Sequence, residues 1–158
     1  MNARLLIEAL RREGQSLSVA ESLTGGLLAS ALVNVPGASD VFVGGVVAYT
    51  ISAKRKVLGV QDEALTHGVV SREVAISMAV GVRELFGSDY AIATTGIAGP
   101  GPQEGLEAGT IWRGCASHLG SAAVFVKLAG ERNEIRIAAV NAALELIETQ
   151  GIFGPLRQ

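Results

Sequence analysis

Twice in this chain a short apolar run breaks into hydroxyl side chains and glycines. Leu17-Ser18-Val19-Ala20 passes into Glu21-Ser22-Leu23-Thr24-Gly25-Gly26 and then into the helical run 27–33. The segment 89–94 passes likewise into Thr95-Gly96-Ile97-Ala98-Gly99-Pro100-Gly101-Pro102. A strand, a glycine turn and a helix in that order belong to α/β sheets, where ligands collect beyond the carboxyl ends of the strands. The same order puts free backbone N–H groups and the positive end of a helix dipole beside Ser22 and Thr24, where an anion or a developing oxyanion is stabilised. Read locally, the first stretch is equally a helix start with a Ser or Thr cap.

The remaining segments extend this pattern. Residues 2–13 carry Leu5, Leu6, Ala9 and Leu10 at helical spacing, with Gly14 as a stop. Residues 41–49 are rich in β-branched side chains and predict a long, largely buried strand, with Gly44-Gly45 marking a bulge or close contact. Ser52 is the expected cap of a short helix over 52–58, and Ser71 caps an amphipathic helix bearing Val74, Met78, Val82 and Leu85. Residues 109–117 and 121–128 predict a hairpin closed by His118-Leu119-Gly120. A last helix over 132–149 places Ile137, Val140, Leu144 and Ile147 on one face, with Gly151 as its stop. The fold class is therefore α/β: a three-layer α/β/α sandwich with a mixed, mostly parallel sheet and helices on both faces.

With 158 residues, one domain spanning 1–158 is expected, free-standing and without linker or repeat. Hydrophobic residues at 49% against 18% charged exclude a disordered chain. A net charge of -2 gives no reason to expect nucleic acid or an anionic membrane as partner. One cysteine excludes a disulfide framework. Arg4, Glu8, Arg11, Arg12 and Glu13 do not fit a signal peptide, and no apolar run approaches the roughly 18 residues a bilayer span needs. A cytoplasmic protein is expected, and so apolar a small domain is compatible with self-association.

If the strands ending near Glu21, Tyr49 and Thr94 are parallel neighbours, Ser22, Tyr49, Lys54 and Thr95 meet in one cleft. Serine needs a base, and the only histidines, His67 and His118, fall in turns. A neutral lysine can substitute, and burial or the neighbouring Arg55 and Lys56 would lower the pKa of Lys54. On its own, Lys54 reads as a solvated residue of an exposed helical face. Glu21 could hold Lys54 or order the turn, and Thr94 and Thr95 could meet a substrate or satisfy a glycine turn. Cys115, in a strand pattern, reads as a buried thiol. Arg132 could serve an anion or lie on the surface. No metal-ligand spacing and neither Gly-rich phosphate motif occurs, so no metal is expected.

Ala20-Glu21-Ser22-Leu23-Thr24-Gly25-Gly26, Tyr49 with Lys54 five residues on, Thr95-Gly96-Ile97-Ala98-Gly99-Pro100, Gly109-Thr110-Ile111-Trp112 and Gly130-Glu131-Arg132 together resemble the CinA C-terminal domain family, in the same order. The resemblance implies nicotinamide-nucleotide amidase activity: nicotinamide mononucleotide is hydrolysed to nicotinic acid mononucleotide and ammonia, a step of pyridine nucleotide recycling, by a serine/lysine mechanism without metal or cofactor. By the same resemblance Ser22 is the nucleophile and Lys54 its general base. Tyr49, Thr95, Gly96 and Arg132 would contact substrate together with Glu21, Thr24, Gly25 and Gly26, whose N–H groups around residues 24–26 would hold the oxyanion. The chain departs from the pattern at Leu23 (often Cys), Ile51 (often Asn) and Glu131 (in place of Asp). An accessory module that binds a nucleotide or a protein without turnover, or an amidohydrolase for another small amide, fits the same residues.

Overall fold

A computed structural model describes residues 2–149. The chain runs α1 (Ala3–Glu13), β1 (Leu17–Glu21), α2 (Leu27–Val33), a short 3-10 turn (Ala38–Asp40), β2 (Phe42–Val47), α3 (Ile51–Leu58), α4 (Asp62–Leu65), α5 (Arg72–Phe86), β3 (Tyr90–Gly96), β4 (Thr110–Ser117), β5 (Gly120–Lys127) and α6 (Arg132–Thr149). The strands form one sheet in the order β2-β1-β3-β4-β5. β2, β1 and β3 are parallel, while β3 pairs with β4, and β4 with β5, antiparallel. The sheet is thus mixed, as the alternation of elements predicted.

Alternation along the strands divides the core between two faces. Leu17 and Val19 pack with Leu6, Leu10, Leu28, Val140 and Leu144, so α1, α2 and α6 cover one face. Ala20, Ala91 and Ala93 pack with Leu58, Val74, Met78 and Val82, so α3 and α5 cover the other. Alanines on the second face let the helices lie close to the strands. α3 also lies against α5 at Gly81, where an added Cβ would fall 2.0 Å from the Leu58 carbonyl oxygen. This contact fixes the helix that carries Lys54.

Several local expectations change. β2 is an edge strand, half-buried on alternate residues, because only β1 flanks it. The predicted bulge is present as a register shift beside Gly44, and Gly45 lets Val19 approach from β1. Thr50, not Ser52, caps α3, since Thr50 is the last extended residue and its hydroxyl accepts from the Ala53 N–H at 3.1 Å. Leu5, Leu85 and Ile137 are exposed. The other described positions predicted on these faces are buried, and burial extends further to Ile7 in α1, Ala75 and Ala79 in α5, and Ile135, Ala139 and Ala143 in α6. The stop at Gly151 and the side chain of Ile147 lie outside the described residues. Among the described residues no helix is long and apolar enough to cross a membrane.

Candidate active site

Parallel pairing of β2, β1 and β3 brings their carboxyl ends side by side, and the chain leaves each end by a different route. After β1, Ser22 stays tied to the sheet through its N–H to the Thr94 carbonyl at 2.9 Å, and the chain turns into α2. After β2, Ala48 and Tyr49 lead into α3. After β3, the 97–109 loop folds back over the strand ends before β4 begins. A pocket of about 640 Å³ lies between them, within the size range of small-molecule sites.

Its floor holds Ser22 and Lys54. The side chain of Lys54 reaches in from α3 with no solvent exposure, and its Nζ donates to the Ser22 Oγ at 2.9 Å and to the Ala48 carbonyl at 2.8 Å. Ser22 is only 8% exposed. Burial pushes the Lys54 pKa down from 10.5 to about 8, opposed by the negative charge of Glu104. Arg55 and Lys56 play no part in this: both are exposed, and Arg55 pairs with Asp62. At neutral pH an appreciable fraction of Lys54 is neutral and can accept a proton from the hydroxyl it touches.

Tyr49, Thr95, Gly96 and Arg132 line the same pocket. Arg132, at the start of α6, donates to the Tyr49 hydroxyl at 2.8 Å and to the Gly99 carbonyl. The Thr95 hydroxyl donates to the Val69 carbonyl at 3.0 Å, holding the wall that precedes α5. Four predicted contacts lie behind the pocket instead of in it. The Glu21 carboxylate is buried away from Lys54 and accepts the N–H groups of Gly26, Leu28 and Ala29 at 3.0, 3.0 and 2.8 Å. Of the two roles open to Glu21, ordering the turn is the one it fills. The Thr24 hydroxyl meets that of Thr94 at 2.8 Å and caps nothing; the Gly25 N–H is bonded to the Ser22 carbonyl. Since the Gly25 and Gly26 N–H groups are already engaged, an oxyanion cannot take them without breaking the turn.

Sequence reasoning overlooked Val69, Val70, Gln103 and Glu104 in the pocket wall, and Arg136 behind it. Arg136 donates to the Leu23 and Thr24 carbonyls, each at 2.9 Å, clamping the turn that follows Ser22 to α6. Its signal was available: it stands one helical turn after Arg132, on the same face. Cys115 and the two histidines are not among the lining residues. The thiol is buried in the core and raised to about 11 by that burial.

The sequence matches the CinA C-terminal domain family over residues 2–150. The chain belongs to that family. A CinA-like protein from Frankia casuarinae is 45% identical over 144 residues, covering 90% of this chain and 33% of the relative. The chain thus spans about a third of the length of such curated relatives. A solved competence/damage inducible protein from Agrobacterium tumefaciens superposes with a TM-score of 0.88 at 39% identity, covering 92% of this chain and 91% of the other. A CinA superfamily protein from Escherichia coli gives 0.89 at 34% identity, covering 92% and 86%. These two solved structures share the α/β framework over 92% of this chain.

Proposed function

We propose that this CinA domain is a serine/lysine amidohydrolase whose substrate is nicotinamide mononucleotide. The observation that carries the reading is the 2.9 Å contact between Lys54 Nζ and Ser22 Oγ on the floor of an open pocket. A lysine seldom lies fully buried without a carboxylate partner, and one lowered toward neutrality beside a hydroxyl is suited to proton transfer.

In the proposed reaction neutral Lys54 takes the Ser22 proton as Oγ attacks the carboxamide carbon. The resulting oxyanion is held by backbone N–H donors of the turn directly after the nucleophile, where Leu23 borders the pocket. Lys54 then gives its proton to the departing nitrogen, which leaves as ammonia, and a serine ester remains. Water, deprotonated by Lys54, releases the carboxylic acid and restores Ser22. Arg132 at the pocket mouth supplies a cation for the substrate phosphate, oriented by its bonds to Tyr49 and Gly99.

The test is ammonia release from nicotinamide mononucleotide by the purified protein. Ser22→Ala is expected to remove at least 1,000-fold of the turnover. Turnover retained within tenfold in that variant sinks the mechanism. Turnover on other carboxamides but not on the nucleotide would redirect the substrate.

A further inference from the structure

Three charged side chains line the pocket, and they are unevenly placed. Lys54 and Arg132 are cations, and Glu104 is the one acid among the described residues that line it. Arg132 begins α6, on the face that α1 and α2 also cover. The Arg132 guanidinium is held by Tyr49 and Gly99, whereas the Glu104 carboxylate is held by Val69, just before α5, so the two opposite charges are anchored to different parts of the lining.

Glu104 occupies the tip of the 97–109 loop. Gln103 and Leu106 exchange both backbone hydrogen bonds at 2.9 Å, and the two residues between them, Glu104 and Gly105, have φ of 52° and 75°. Positive φ at both central positions is the requirement of a type I′ turn, which glycine, asparagine and aspartate meet readily and glutamate does not. Glu104 is the only non-glycine residue with positive φ among the described residues. Its Oε2 accepts the Val69 N–H at 3.0 Å, and the Val69 carbonyl is held in turn by Thr95. An unfavourable backbone conformation thus delivers a carboxylate to the rim of a pocket that otherwise carries only positive charge.

We propose that Glu104 is a specificity-determining residue: its carboxylate gives the pocket a preference for amides that carry a fixed positive charge on the ring bearing the carboxamide. The proposal rests on the amidase reading above and adds to it the basis of selection. Lys54 in its ammonium form and Arg132 would repel a cationic ring, and Glu104 offsets that repulsion from the wall formed by Val69. Its influence on Lys54 places the pocket floor within reach of its field. A pyridinium nucleotide, anionic at the phosphate and cationic at the ring, matches both ends of this arrangement.

Binding to the Ser22→Ala protein, measured by calorimetry at moderate salt, tests the idea without turnover. The ligands are nicotinamide mononucleotide and its 1,4-dihydro form, whose ring is neutral. The parent is expected to bind the cationic ring more tightly. Glu104→Gln, which keeps an acceptor for Val69 and loses only the charge, should weaken the cationic ligand about three- to tenfold and leave the neutral one within about twofold. Glu104→Gly suits the turn and removes both charge and latch, and should abolish the same preference. Equal weakening of both ligands, unchanged preference in Glu104→Gln, or no binding by the parent overturns the proposal. Charge-selective binding in Ser22→Ala with no ammonia release from the unmutated protein refutes the amidase reaction and leaves the assignment of Glu104 standing.

Discussion

Lys54 ties reactivity to stability through one proton. Its neutral form is the proposed base, so below about pH 8 the rate should rise about tenfold for each pH step of one and level off above. Initial rates of ammonia release from pH 6 to 9.5 check this; a rate independent of pH across that range would exclude Lys54 as the base. The stability effect has a definite sign. Between about 8 and 10.5 the folded protein binds fewer protons at this residue than the unfolded chain, so its contribution rises with pH across that window and is least favourable below it. The difference between the two values corresponds to about 3 kcal/mol. Lys54→Met, which keeps the length and removes the buried ammonium, should therefore raise stability at pH 6.5 by about 1–3 kcal/mol while abolishing turnover. Urea melts of the two proteins at pH 6.5 provide the comparison.

At the scale of elements, the turn between β1 and α2 is held by Glu21, a side chain expected among the substrate contacts. Glu21 supplies the anion that the start of α2 favours, and its two oxygens take three N–H groups. Glu21→Gln leaves one carbonyl oxygen and adds donors next to N–H groups, and should cost about 2 kcal/mol of stability by chemical denaturation. Fully native stability in that variant would mean the carboxylate is dispensable. Strands, helices and the convergence of Ser22, Tyr49, Lys54 and Thr95 were legible because hydrophobic period and turn residues are local signals. Glu21 was legible only as a choice between holding Lys54 and ordering the turn, since the choice depends on helix N–H groups folding back over it. Glu104 was not legible, because its partner Val69 lies 35 residues away in sequence. The edge position of β2 also escaped, because strand order is not written in any one strand. Leu85 and Ile137 misled for a related reason: a spacing identifies a face, but the neighbouring helices decide how far around it burial extends.

Across the whole molecule, chemistry and scaffold occupy different ends of the sheet. Every polar group proposed to act lies at the carboxyl ends of β1, β2 and β3, on the segments that leave them or, for Arg132, at the start of α6. β4 runs the opposite way, starting beside Gly96 near the pocket and ending at Ser117, where Ala116 pairs with Ala91 near the start of β3. The turn of His118 and Leu119 therefore faces away from the pocket, and it is exposed. That makes this turn a port for engineering. A flexible peptide tag or a fluorescent reporter opened into the chain between His118 and Leu119 should leave ammonia release within about twofold, because no group at the pocket would need to move. Loss of soluble expression would show that the hairpin closes early in folding and tolerates no added length. If the insertion is accepted, the same turn could anchor the protein to a surface or join it to a second enzyme with its pocket facing outward.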